Sequence, residues 1–330
     1  MTGNTEQKAV HGGRGRYINN PSGELIDFSA SINPYPPNLN FSIPINAVSQ
    51  YPDDEYQILK KTIADYHHCS PENITVGNGS VEVIRTLCHT LLSPGKSAYI
   101  PKHTFAEYAL SVNLTGAHVK STEEETDIIF LCNPDNPSGL LLSKEEVLKR
   151  IPDQKGRSQL LCVDEAFIDL SDPKESVSEI IQPGLFVLRS LTKSFAVPGI
   201  RFGYGIGTPD LISAMEVMRP PWTVNALAES VVMHAFSKYP DLDYSRKMIS
   251  DERKRLIPAI EDHGWRCIMG TANYLLIDTG SNAGEIAGKF AEYNILVRDC
   301  TSFDLPAHIR IAIRTREENN RLLEALENIR

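Results

Sequence analysis

Between about Glu55 and Met218 the chain alternates short β-like apolar runs with stretches whose apolar residues recur at helical spacing. That alternation constrains the fold more than any other feature. Parallel strands need crossover connections, and a crossover helix buries its apolar stripe on the sheet, so the pattern predicts a mostly parallel sheet covered by helices. Ile58, Leu59 and Ile63 suit a helix, Ile74 to Val76 a strand, and Val81, Ile84, Leu87, Cys88 and Leu91 a second helix. Further strands are expected at Ala98 to Ile100, Ile128 to Cys132, Leu160 to Asp164, Phe186 to Arg189 and Phe202 to Ile206. Ligands of such sheets gather at the carboxyl ends of the strands.

After Arg219-Pro220-Pro221 the texture changes to long helical patterns near Asn225 to Ser237 and Asp241 to His263. Strands then follow at Tyr274 to Ile277 and Ile309 to Ile313, with a helix near Gly284 to Tyr293 between them. The expected organisation is an irregular arm over residues 1–50, a large domain over 51–220 and a smaller C-terminal α/β domain over 221–330. A length of 330 residues suits about two domains. The net charge of -9 argues against nucleic-acid or anionic-membrane partners. It leaves room for a small phosphorylated substrate, because screening over about 10 Å lets a local arginine cluster prevail. Six cysteines without a CxxC pair read as reduced, mostly buried thiols. The polar opening MTGNTEQKAV lacks an apolar leader core, and no run approaches membrane-spanning length, so a cytoplasmic location is expected.

The sharpest local feature is Ser190-Leu191-Thr192-Lys193, a lysine between hydroxyls just beyond an apolar strand. A lysine there becomes a reactive amine if its pocket is partly dry and a carbonyl partner is at hand. Gly77-Asn78-Gly79-Ser80 joins a strand to a helix start whose free N–H groups can hold an anion. Asn133-Pro134-Asp135-Asn136-Pro137-Ser138-Gly139 and Val163-Asp164-Glu165-Ala166-Phe167 add an amide and a carboxylate at the same sheet edge.

This ordered set, with Arg201 eight residues past Lys193, resembles the fold-type I pyridoxal-phosphate enzymes of the class I/II aminotransferase group over nearly the whole chain. The resemblance implies pyridoxal 5'-phosphate as cofactor, with Lys193 and Asp164 as the catalytic pair. Lys193 would join its aldehyde carbon and shuttle a proton, and Asp164 would keep the ring nitrogen protonated. Asn136 would bond the phenolic oxygen and Phe105 would stack on the ring. Arg201, Ser190 and the Gly79-Ser80-Val81 turn would hold the phosphate. Tyr51 matches a tyrosine that reaches the neighbouring subunit's phosphate, implying a homodimer, and the family pattern suggests a cis Asn136-Pro137 bond. Phe167 stands where the aminotransferases carry a tyrosine that bonds the phenolic oxygen, and Ser80-Val81 stands where threonine-phosphate decarboxylases carry a Glu-Thr pair.

Two subfamilies share these motifs, the threonine-phosphate decarboxylases and the histidinol-phosphate aminotransferases. The decarboxylase resemblance is closer at His11-Gly12-Gly13, Leu25 to Pro34, the Gly77-Asn78-Gly79-Ser80 loop, Phe105-Ala106-Glu107-Tyr108, Pro221 to Ala228 and Arg310 to Arg314. It implies decarboxylation of L-threonine O-3-phosphate to (R)-1-amino-2-propanol O-2-phosphate in cobalamin biosynthesis. Arg310 would bind the carboxylate with Asn33 and Arg298 near it, and Arg314 and His11 would meet the phosphate. The alternative is transamination of histidinol phosphate with 2-oxoglutarate. Other chemistries lack support in the residues: the SDN and KTG companions of an SxxK acyl-enzyme are missing, and Gly203-Tyr204-Gly205-Ile206-Gly207 is not GxGxxG. His67-His68 and His103 lack metal-ligand spacing.

Overall fold

The computed structural model describes residues 9–13, 25–41, 45–154 and 158–329; the polar opening and part of the expected arm lie outside them. After β1 (Ile26–Asp27), helix α1 (Gln57–Tyr66) leads into β2 (Ile74–Gly77) and α2 (Ser80–Leu91). Then come β3 (Ser97–Tyr99), α3 (Glu107–Leu114), β4 (His118–Lys120), β5 (Ile128–Cys132), α4 (Lys144–Leu148), β6 (Leu160–Asp164), β7 (Leu185–Arg189), β8 (Gly203–Ile206) and α5 (Pro209–Met218). Seven of these strands form one sheet in the order β2-β8-β7-β6-β5-β3-β4. All are parallel except β8, which opposes both its neighbours.

Strands β6 and β7 are buried at every residue. Leu161 and Val163 face one apolar core with α1, and Leu160 and Cys162 face the other with α2. Coverage on both faces explains why these strands read as continuous apolar runs with no polar alternation. The expected α/β fold and its long helices are present, with ends shifted by a residue or so. Strand β4 escaped the pattern because His118 and Val119 lie exposed at the sheet edge, where little apolar patterning is required.

The reversed β8 matters for function. β2, β5, β6 and β7 end at one edge of the sheet, whereas β8 starts there, with Gly203 opposite Gly77. Arg201, two residues before β8, is thereby delivered to the edge where the parallel strands deliver Asp164 and the segment carrying Lys193.

The C-terminal part comprises α6 (Ala226–Phe236), α7 (Leu242–Asp262), β9 (Arg266–Cys267), β10 (Tyr274–Asp278), α8 (Ala283–Glu292), β11 (Ile295–Leu296), β12 (Arg298–Asp299), β13 (His308–Ala312) and α9 (Arg316–Asn328). Its antiparallel sheet has the order β12-β13-β10-β9. Within the stretch read as irregular, β1 pairs in parallel with β11, and Ala312 N donates to Phe28 O at 2.8 Å. Phe28 is fully buried, so burial of this side chain anchors a segment that has little local periodicity. The six cysteines are free thiols, five of them buried. No helix among the described residues is long and apolar enough to cross a membrane.

Candidate active site

Gly79 is the N-cap of helix α2; its φ of 84° belongs to the left-handed half of conformational space, and no side chain caps the helix. A Cβ on Gly79 would collide with the Arg201 guanidinium, and one on Gly203 would collide with Ser80 N. Backbone and guanidinium thus converge on a concavity that only glycine permits. The first-turn amides of Ser80 and Val81 and the positive end of the helix dipole favour an anion there. Arg201 donates to Pro198 O at 3.0 Å, and no carboxylate pairs with it among the described residues. Ser190 Oγ lies 3.0 Å from Thr192 Oγ1 in a buried pair, so Thr192, not singled out from sequence, shares the hydroxyl supply.

Asp164, the last residue of β6, is 4% exposed. Its Oδ2 accepts from Tyr108 Oη at 2.6 Å and its Oδ1 from Ala166 N at 3.0 Å. Burial drives the carboxyl up to about 6 despite those two donors, and the Glu165 charge adds to the rise. Tyr108 stacks on Phe130 at 4.8 Å, which holds the phenol in place. Motif reading quoted this tyrosine in Phe105-Ala106-Glu107-Tyr108 but gave it no role; the structure makes it the side-chain donor to Asp164. Its signal was the demand of a buried carboxylate for a long-reaching donor from the covering helix α3.

Lys193 is half-buried in the turn after β7. Burial together with the charges of Arg310 and Arg201 pushes its amine down to about 8, so a neutral nucleophile is accessible near physiological pH. Asn33 N donates to Lys193 O at 3.0 Å, and Asn33 Nδ2 donates to Ser194 O at 2.7 Å and to Ser245 Oγ at 3.0 Å. Its Oδ1 accepts from Tyr35 N. Asn33 thus acts on the site through the backbone of the Lys193 turn, and its amide is committed to protein partners instead of facing a substrate.

Asn136, also buried, accepts a hydrogen bond from Arg310 Nη1. Arg310 lies 5.0 Å from the Tyr274 ring centroid, and its buried Nε has no partner. No carboxylate pairs with Arg310 among the described residues. Arg298 faces it in register on β12 and donates to Val10 O at 2.8 Å and Ser302 Oγ at 2.7 Å. Arg314, whose Nε is likewise without a partner, differs in having a carboxylate: it donates to Asp27 O at 3.1 Å and pairs with Glu318 at 2.5 Å. His11 Nε2 lies 2.9 Å from Glu107 Oε1, and the imidazole is 5.9 Å from the Phe105 ring, tilted by 53°. Phe105 meets Tyr108 edge-on at 5.5 Å. Tyr51 stands apart, 80% exposed and packed on Trp222 at 4.5 Å.

One backbone expectation is corrected. The cis peptide bond among the described residues is Asn133-Pro134, not Asn136-Pro137. Asn133 is the residue that leaves β5, and both ends of its amide clamp Leu142, so the chain reverses there, ahead of Asn136. Phe167 packs edge-on against Tyr274 at 5.0 Å in a small apolar cluster, so an aromatic ring is kept where the hydroxyl is lost.

The donor set suits a phosphorylated pyridine aldehyde. It offers an amide cradle with a guanidinium for phosphate, a buried carboxylate for a ring N–H, an amine whose neutral form is within reach, and a buried amide for an oxygen. The family model for "Aminotransferase class I and II" matches residues 45–326. A protein named "Putative threonine-phosphate decarboxylase" in Caldanaerobacter subterraneus subsp. tengcongensis is 34% identical over 308 residues, covering 86% of this chain and 83% of that protein. Histidinol-phosphate aminotransferase 2 of Archaeoglobus fulgidus is 31% identical over 333 residues, 94% of each chain. The crystal structure of the histidinol-phosphate aminotransferase from Clostridium acetobutylicum aligns with a TM-score of 0.80 at 27% identity, over 92% of this chain and 99% of that one. With that sequence match and that shared architecture, the chain belongs to the class I and II aminotransferase family of pyridoxal-phosphate-dependent enzymes.

Proposed function

We propose that the protein decarboxylates L-threonine O-3-phosphate, releasing CO2 and forming 1-amino-2-propanol O-2-phosphate. The observation that carries this reading is Arg310, a buried guanidinium with no carboxylate partner among the described residues, close enough to Lys193 to lower its amine. A substrate carboxylate satisfies it. Threonine phosphate carries a carboxylate and a phosphate on one molecule, matching Arg310 and its register neighbour Arg298, whereas in the rival transamination the carboxylate arrives with 2-oxoglutarate and the phosphate with histidinol phosphate.

Bound pyridoxal 5'-phosphate supplies an electron sink for the pair left on Cα when a bond to it breaks. The protein's residues decide which bond that is. Asp164, steadied by Tyr108, holds the proton on the ring nitrogen. Arg310, hydrogen-bonded to Asn136, would fix the carboxylate and so select the bond from Cα to it as the one oriented to break. Lys193 Nζ then returns a proton to Cα. His11 and Arg298 are the phosphate candidates in this reading; Arg314 joins them only by releasing Glu318.

In this reading the enzyme is a cytoplasmic homodimer. Tyr51, exposed beside Trp222, reaches the partner subunit's cofactor phosphate. Support for the rival aminotransferase reading comes from the 31% identity to the Archaeoglobus protein. The deciding assay incubates the holoenzyme with L-threonine O-3-phosphate and measures CO2, and separately with histidinol phosphate and 2-oxoglutarate, measuring glutamate. CO2 without glutamate supports the decarboxylase, and glutamate formation from histidinol phosphate replaces it with the aminotransferase.

A further inference from the structure

Behind the site, on the side of the sheet away from Asp164, lies a buried ionic cluster that the reactions above do not use. Arg189, 3% exposed at the end of β7, donates from Nη1 to Glu165 Oε2 at 2.8 Å and from Nη2 to Asp169 Oδ1 at 2.5 Å. Glu165 also accepts from Ser176 Oγ at 2.5 Å and Val177 N at 2.7 Å. The second oxygen of Asp169 accepts from Ser194 Oγ at 2.9 Å, and the Asp169 carbonyl accepts from Arg246 Nη1 at 2.8 Å.

The two ends of this chain of contacts are sequence neighbours of the two catalytic candidates. Glu165 follows Asp164, and Ser194 follows Lys193. Asp164 ends an extended strand, so Glu165 points to the opposite side from it, and in the turn that carries Lys193 the Ser194 hydroxyl reaches Asp169 on that same side. Burying one guanidinium with two carboxylates is costly and gives little net stability over apolar packing. What it does give is a fixed geometry, because each acceptor position is filled by a directional bond.

We infer that Asp169 and Ser194 are positioning residues, which through Arg189 and Glu165 lock the Lys193 turn at a set distance from Asp164. The inference rests on membership of the pyridoxal-phosphate family and stands whichever of the two reactions the enzyme performs. Asn33 closes the same turn from the other side, through Ser194 O. Without the Ser194 hydroxyl, the turn keeps its covalent path and its Asn33 contacts but loses the bond to the ionic cluster. Water then gains access to the Lys193 amine.

The test is a pH titration of the visible absorption band of the holoenzyme, read together with its thermal midpoint. For Ser194→Ala the band's midpoint is expected to rise by at least about 0.5 pH unit, roughly threefold in the proton dissociation constant, with thermal stability little changed. Ser194→Thr, which restores the hydroxyl, is expected to return the midpoint to within about 0.2 unit of the parent. A second variant, Asp169→Asn, removes one of the two carboxylate charges that face Arg189 and is expected to displace the midpoint as well. An unchanged midpoint in Ser194→Ala, whatever its thermal stability, overturns the inference. So does a shift that Ser194→Thr fails to reverse.

Discussion

The phenol of Tyr108 is the perturbation that best separates tuning of the site from mere occupancy of it. Tyr108→Phe removes one hydroxyl, leaves the ring stacked on Phe130, and strips Asp164 Oδ2 of its 2.6 Å donor in a fully buried setting. A hydrogen bond to a charged acceptor contributes about 1.5–3 kcal/mol, which corresponds to roughly one to two pH units on the carboxyl. Burial already lifts Asp164 to about 6 with the phenol in place. In the variant its titration moves into the neutral range, and a large fraction of the apoenzyme carries a protonated carboxyl at pH 7. A neutral carboxyl holds the ring N–H less well, so cofactor affinity at pH 7 is expected to fall about tenfold and to recover as pH rises. The assay is a spectrophotometric titration of apoenzyme with pyridoxal 5'-phosphate at several values between pH 6 and 9. An affinity profile that superposes on the parent's across that range refutes the argument that Tyr108 sets the charge of Asp164.

Further predictions concern the cradle, the arginines and the apoenzyme. Gly79→Ala forces a side chain into a φ of 84° and into the Arg201 guanidinium; cofactor affinity by absorbance titration is expected to drop at least about tenfold. Arg310→Lys loses a guanidinium fork that binds a carboxylate bidentately, so KM should rise about 100-fold, whereas Arg314→Gln, which gives up a half-exposed pair with Glu318, should act on KM less than tenfold. Because Asp164 is raised in the folded state, its contribution to apoenzyme stability is present below about pH 4 and is lost as pH rises through about 6. Differential scanning calorimetry of an Asp164→Asn apoenzyme should lack that loss between pH 4 and 7. Lys193 is lowered, so its contribution is present above about pH 10.5 and is lost as pH falls through about 8; a Lys193→Met apoenzyme should be less pH-dependent over that interval.

Much of the chemistry was legible from residue types and spacing. Lys193 after an apolar strand, Asp164 at the end of another and a glycine turn before a helix are local patterns, and the alternation of strands and helices places all three on one edge. The sequence by itself determined the fold class and the cofactor chemistry, because short-range patterning decides which residues are buried and family motifs are contiguous. Tertiary structure alone decided what stands beside these residues. It reversed β8 and so brought Arg201 to the start of α2. It turned Asn33 toward the backbone of the Lys193 turn, committed Arg314 to Glu318, and set Arg310 across the cleft against Asn136, 174 residues away. It placed Tyr108 under Asp164 and linked Glu165, Arg189, Asp169 and Ser194 behind the sheet. These contacts join residues distant in the chain, and their strength depends on burial and direction, which exist only once the sheet and helices have packed.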